Sequence, residues 1–347
     1  MATLRDIAER ARVSQVTVSN VLNVRNKEKW PAAAKRAARI RRIAEELGYR
    51  PSAAARSMRR RGSRQIAAVL FNCRENLGYN RGVFEMLAGA NLRLEDEVYL
   101  LTLVRLADLA RDPALRSRGF REDLFEGAMA FGLPDEAAPI VPCIQETFPS
   151  CIWVDGLVWE PRNCVRRDEE AAGRMAAKAL MRGGSTQLLW PANPGANHYS
   201  YRLRLAGARE AAGGCLEEVD PRLLWQPSRR GRSSSPLQAA QRGVGVIAHD
   251  MLCAQLIAHP AGSHGLIPGR DFALVCCEST AGIMEAWPDL SRVNFNRFRM
   301  GERAAEMVLA RIAGQTDLPS LCIPDGWREG ATYWNPKKGT ASLTNNQ

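Results

Sequence analysis

No run of apolar residues in the 347-residue sequence approaches the ~18 needed to cross a bilayer. The start, Met1-Ala2-Thr3-Leu4-Arg5-Asp6, lacks the apolar stretch of a secretory signal, so a cytoplasmic, nucleoid-associated protein without membrane contact is expected. Cysteine spacing is uninformative in a useful way. The nine cysteines are scattered and odd in number, and include the adjacent pair Cys276 and Cys277 but no CxxC, which argues against a disulfide framework and a structural zinc. Histidine is scarce, and His198, His249, His259 and His264 are not spaced as a metal pair on one helix face. Also missing are a GxSxG elbow, a P-loop, an HExxH pair and a GxGxxG after the first strand. An enzyme is therefore not expected, nor any metal or cofactor.

Negative charge is scarce at the beginning of the chain. Residues 1–64 hold 17 Lys and Arg against 5 Asp and Glu, and the remainder is close to neutral. A basic module joined to a neutral body suits a partner that is a polyanion, because phosphate neutralisation releases counterions and drives binding. Within this module Thr3 and Asp6 have the spacing of a capping pair, and Leu4, Ile7, Ala8 and Ala11 share one helix face. Arg12-Val13 makes a tight turn to Ser14, which can cap a second helix carrying Val18, Val21 and Leu22 on its inner face. Two short helices joined so tightly form a helix-turn-helix. Its second helix leaves Gln15, Val16, Ser19 and Asn20 outward, where that motif reads base edges in the major groove. Gln15 and Asn20 can bond adenine and Val16 can touch a thymine methyl, whereas the hydroxyls of Ser14, Thr17 and Ser19 suit phosphates. A third helix starts near Pro31 with Ile40, Ile43, Ala44 and Leu47 as its apolar stripe, and Lys35, Arg36, Arg39, Arg41 and Arg42 crowd the rest. Gly48 stops it.

The run Thr3-Leu4-Arg5-Asp6-Ile7-Ala8 with Val13-Ser14 and Thr17-Val18-Ser19, followed by Glu46-Leu47-Gly48-Tyr49-Arg50-Pro51, resembles the DNA-binding head of the lactose-repressor (LacI/GalR) family. The resemblance implies that Gln15, Val16 and Asn20 choose the operator and that Ala55 and Met58 belong to a hinge helix entering the minor groove. Relatives mostly carry Leu where Met58 stands, and a small residue where Arg12 stands.

After a basic linker the pattern changes to apolar strands alternating with helices. Ile66–Phe71, Val98–Leu103, Gly127–Phe131, Cys151–Val154, Gln187–Trp190, Val244–Ala248 and Phe272–Cys277 read as buried strands of parallel sheets covered on both faces. The resemblance extends more weakly to about residue 334 and implies a two-lobed, periplasmic-binding-protein-like (type I) core of doubly wound sheets. Crossovers are then expected near residues 160, 292 and 320. The expected organisation is an all-α head (1–49), hinge and linker (50–62), an N-terminal lobe (63–160 with 292–320), a C-terminal lobe (161–291 with 321–334) and a polar tail (335–347).

Doubly wound sheets bind ligands beyond the carboxyl ends of their strands. Asp155, His249, Asp250 and Glu278 stand there, and the resemblance implies that Arg204 holds effector hydroxyls. Asp250 reads equally as a helix cap. With Trp225 or Tyr79 against a ring face, these residues would make a carbohydrate site. Relatives carry Asn at the position of His249 and a Gly-aromatic-Asp-Asp run where Cys276-Cys277-Glu278-Ser279 stands. The resulting expectation is an effector-controlled regulator, a repressor in the commonest outcome for the family, binding a pseudo-palindromic operator as a homodimer. An architectural DNA-binding protein would have no use for the two-lobed core, and a transport-type binding protein none for the basic head.

Overall fold

The computed structural model describes residues 2–22, 30–49, 63–71, 81–106, 120, 122–196, 198–224, 237, 243–279 and 287–333. Ala55, Met58, Tyr79, Trp225 and the tail 335–347 lie outside the described residues. The chain divides into two compact units, Met1–Ser63 and Arg64–Gln347.

The first unit contains α1 (Leu4–Ala11), α2 (Gln15–Leu22) and α3 (Pro31–Glu46). Thr3 opens α1 with a reciprocal capping box: its hydroxyl accepts from the Asp6 N–H, and the Asp6 carboxylate accepts from the Thr3 N–H at 2.8 Å. The Ser14 hydroxyl opens α2 in the same way, accepting from the Thr17 N–H at 3.1 Å. Ile7, Ala8, Ala11, Val18, Val21, Ala37, Ile40, Ile43 and Ala44 are the buried faces of the three helices and form one core.

The second unit opens with β1 (Gln65–Leu70), α4 (Arg81–Asp96), β2 (Leu100–Arg105), β3 (Gly127–Phe131), α5 (Val141–Thr147), β4 (Cys151–Val154) and β5 (Cys164–Arg167). There follow α6 (Glu169–Arg182), β6 (Gln187–Pro191), α7 (Tyr199–Ala212), β7 (Leu216–Val219), β8 (Val244–Ala248), α8 (Met251–Ser263), β9 (Ala273–Cys276) and β10 (Ser291–Asn294). The last elements are α9 (Arg297–Ile312), β11 (Leu321–Ile323) and β12 (Gly326–Arg328). Two six-stranded sheets result, ordered β11-β5-β4-β3-β1-β2 and β12-β10-β9-β8-β6-β7. Every described pair is parallel except β10–β12, which is antiparallel. The central strands are buried along their whole length, as the continuous apolar runs require.

Three connections pass between the sheets: β5 to α6 at Asp168, β10 to α9 at Phe295–Asn296, and β11 to β12 at Pro324–Asp325. Each comes later than the expected 160, 292 and 320. The lobe limits set at 160/161, 291/292 and 320/321 therefore shift, because β5 and β11 belong to the first sheet and β10 to the second. The reason is length and composition: β5 has four residues, two of them Arg, and β11, although apolar, has only three.

Each lobe brings two helices into unusually close contact through glycine. In the second lobe α6 lies on α7, and a Cβ at Gly173 would fall 1.9 Å from the Arg204 carbonyl oxygen, one at Gly207 2.0 Å from that of Glu170. In the first, α4 lies on α9, with Gly301 against the Met86 carbonyl and Gly89 against that of Phe298. The α6–α7 approach matters for function, since it delivers Glu169 and Arg204 to each other. Gly207→Ala should consequently lower the stability of the core by about 1–3 kcal/mol, measurable by urea unfolding of the full chain.

Candidate functional site

Helix α2 divides cleanly. Val18 is 0% exposed, whereas Val16, two residues earlier, is 68% exposed beside exposed Gln15. Asn20, Thr17 and Ser19 are half-buried on the helix flanks. A β-branched apolar side chain in water at the start of a short helix is an unsatisfied contact surface, and it lies with the two amides that the sequence singles out. Ser14 and Thr17 bond each other, Oγ to Oγ1 at 2.9 Å, so the Ser14 hydroxyl serves the helix start as well as facing solvent.

The turn before α2 depends on Arg12, which is left-handed at φ 53°, ψ 50°. Its N–H bonds the Glu9 carbonyl and the Val13 N–H the Ala8 carbonyl at 3.0 Å. Gly48 closes α3 by the same scheme, with its own N–H to Glu45 and the Tyr49 N–H to Ala44. What glycine does without strain at one helix end, arginine does against its Cβ at the other. Arg12→Gly should raise the unfolding free energy of the head by about 1 kcal/mol, read by thermal melts of the full chain.

The second constellation lies where the crossovers leave the sheets. Asp155 follows β4 and is buried. Its carboxylate takes Arg167 Nε and Nη2, both at 3.1 Å, and accepts from the Tyr199 hydroxyl at 2.7 Å. Arg167, at the end of β5, also reaches Glu169 at 2.8 Å, and Glu169 accepts from Arg204 Nε at 2.6 Å. Arg204 donates further to the His249 carbonyl and lies 3.5 Å from Glu278. Glu278 pairs with Arg297, which also donates to the Ser279 carbonyl. The guanidinium carbons of Arg167, Arg204 and Arg297 stand 4.6, 5.1 and 5.2 Å from the ring centroid of Phe295.

Burial pushes the Asp155 carboxyl up, but Arg167, with His198 and Arg297, more than offsets this and holds it at about 2. Burial opposes ionisation of Glu278 as well, and Arg297 and Arg204 keep it below the usual range. Burial leaves the His198 imidazole below its usual value. Asp325, in the third crossover, behaves in the opposite sense. Both its carboxyl oxygens are buried with no hydrogen-bond partner among the described residues, and burial together with Glu169 pushes it up to about 8.

The sequence-expected residues Asp155, Arg204, His249 and Glu278 thus meet in one network. Arg204 is 2% exposed, with donors engaged by Glu169 and the His249 carbonyl. Asp250 caps α8, accepting from the Cys253 N–H at 2.7 Å, and also touches His249 Nε2 at 3.2 Å. Sequence reasoning missed Arg167, Glu169, Tyr199, Arg297 and Asp325. Their signal was available in part, since Arg167 and Glu169 flank a strand end just as Asp155 does.

A three-helix head followed by a core of two doubly wound lobes joined by a buried charged network is the layout of a DNA-binding transcriptional regulator. Residues 3–52 match the model of the family described as bacterial regulatory proteins, lacI family. It is 23% identical over 332 residues to the probable HTH-type transcriptional regulator EndR of Paenibacillus polymyxa, covering 90% of this chain and 91% of the relative. It is also 23% identical to the HTH-type transcriptional repressor PurR of Aliivibrio fischeri (strain MJ11), with 90% and 92% covered. Among solved structures, the lac repressor dimer bound to operator and the anti-inducer ONPF superposes with a TM-score of 0.71 at 18% identity, covering 95% of this chain and 98% of that one. The transcriptional regulator CelR in complex with cellobiose superposes at 0.61 and 20% identity, with 96% and 100% covered.

The orphan carboxyl of Asp325 makes a pH-dependent prediction. A carboxyl held at about 8 in the folded state and at its usual 3.8 when unfolded favours folding fully below pH 3.8, and that contribution is lost as pH rises towards 8. Asp325→Asn should match the parent near pH 4 and exceed it by roughly 1–3 kcal/mol near pH 9 in chemical unfolding.

Proposed function

We propose that the protein is a homodimeric repressor whose operator affinity is set by a small polar effector held between the lobes. The observation that carries this reading is the charged network itself. It joins the lobes through Asp155 with Tyr199, Arg297 with Glu278 and, at the rim, Arg202 with Asp135 at 3.0 Å. A molecule inserted there must exchange contacts with both lobes, so it favours one lobe arrangement over another by its differential affinity. The effector contacts in this reading are Asp155, Arg204, His249 and Glu278 with Asp250 at the edge, and Trp225 or Tyr79 as ring platforms. A hydroxyl-rich molecule of the carbohydrate class suits such acid and guanidinium donors and acceptors, and the cellobiose complex of CelR is in keeping with it.

On the DNA side, Gln15, Val16 and Asn20 read bases, Ser14, Thr17 and Ser19 hold phosphates, and Ala55 and Met58 of paired hinges enter the minor groove of a pseudo-palindrome. A second copy is invited by the first lobe. Its edge strand β2 leaves Leu100 and Leu103 exposed beside Val98, with Phe84 and Leu92 exposed on α4. Exposed apolar side chains along a free strand edge favour pairing with another such edge.

Selection of bound fragments from sheared genomic DNA at near-physiological salt tests the whole reading. A short inverted repeat is the expected product, and Asn20→Ala should relax preference at one position per half-site by about 1–3 kcal/mol. Recovery of fragments with no shared sequence would contradict it.

A further inference from the structure

The cleft is richer in acid than in base. Five carboxyls gather there, those of Asp155, Glu169, Asp250, Glu278 and Asp325, against three guanidiniums. Each guanidinium is already paired with a carboxylate, Arg167 with Asp155 and Glu169, Arg204 with Glu169, and Arg297 with Glu278. A fourth guanidinium, Arg166, stacks on Trp159 at 3.9 Å and stands 5.9 Å from the Tyr199 ring, so the acids still outnumber the bases by one.

Around this network three of the buried groups without a hydrogen-bond partner among the described residues are Nη1 of Arg167, which stands 4.0 Å from Glu278 Oε1, Nδ1 of His249 and the two oxygens of Asp325. Arg167 and His249 are themselves more than nine-tenths buried, at 4% and 8% exposure. Unpaired polar atoms in a buried site are costly, and a ligand that supplies their partners recovers that cost. Arg167 Nη1 can only donate, so it asks for an oxygen lone pair. Asp325, pushed up to about 8 by burial and Glu169, is largely protonated at neutral pH without a partner, and a cationic donor that pairs with it favours its ionised, accepting form.

We propose that the cleft takes a small hydroxylated molecule bearing a protonated amine, with Asp325 of the third crossover receiving the amine and Arg167 a hydroxyl oxygen. This rests on the effector-sensing reading above and narrows it. Asp325 lies on the connection that passes between the lobes, so a contact there acts where the lobes are joined. A phosphorylated or carboxylate-bearing effector would add negative charge to a site that already has too much, and is disfavoured.

Isothermal titration calorimetry of the full chain with glucosamine and with glucose, at equal ionic strength and neutral pH, tests the proposal. Glucosamine should bind at least about tenfold more tightly than glucose, the gain expected of one charge-assisted hydrogen bond, and the ratio should fall to near one in Asp325→Asn and in Asp325→Ser. Ethanolamine has the amine and a hydroxyl without a sugar ring. Binding of ethanolamine as tight as that of glucosamine would assign a simpler amino alcohol, and weaker binding an amino sugar. Equal or tighter binding of glucose, a preference that survives both substitutions, or no binding of either amine overturns the proposal. Operator binding in the same solutions separates the two readings. A compound that changes operator affinity independently of Asp325 overturns this inference alone, whereas an amine that binds through Asp325 and leaves operator affinity unchanged overturns effector sensing alone.

Discussion

Everything in the core is arranged around the cost of burying charge. Arg167, Glu169 and Arg204 are each at most 4% exposed, and an isolated ion in such a place loses several kcal/mol of hydration. Alternation of sign along Asp155, Arg167, Glu169, Arg204, Glu278 and Arg297 repays that loss only while each member keeps both neighbours. The members come from both lobes, and Arg167, Glu169 and Arg297 flank two of the three crossovers. Holding the charges together and holding the lobes together are therefore one requirement.

The close helix contacts serve that requirement. Gly173 and Gly207 let α6 and α7 approach until backbone meets backbone, which presents Glu169 at the start of one helix to Arg204 in the middle of the other. An Arg–carboxylate pair at 2.6 Å fixes the distance between the two helices as firmly as side-chain packing does. Phe295 fills the space beneath three guanidiniums, giving their faces an apolar and weakly negative surface that water would otherwise occupy.

The head was legible almost residue by residue because its signals are local. The Thr3–Asp6 box, the Ser14 cap, the Gly48 stop and the apolar spacing of α1 to α3 each act within one or two turns of helix. Long apolar strands such as Gly127–Phe131 and Val244–Ala248 were equally plain. The crossovers were not, since β5 and β10 are four residues long and carry Arg or polar residues where a strand pattern looks for apolar ones, and the apolar β11 is only three residues long. Arg167 lies in β5, and Glu169 and Arg297 stand just beyond the crossovers that follow β5 and β10. Arg166-Arg167-Asp168-Glu169 reads in one dimension as a solvated charge run, and only the paired sheets turn Arg167 and Glu169 inward while Arg166 faces Trp159. That Asp325 has no hydrogen-bond partner among the described residues is a property of three-dimensional surroundings that no sequence pattern encodes.

The duplicated glycine contacts carry a mechanical consequence. Helices locked backbone to backbone in each lobe cannot slide past one another without collision, which leaves Asp168, Phe295–Asn296 and Pro324–Asp325 as the compliant links between two stiff bodies. With three links side by side, bending of one is shared by all.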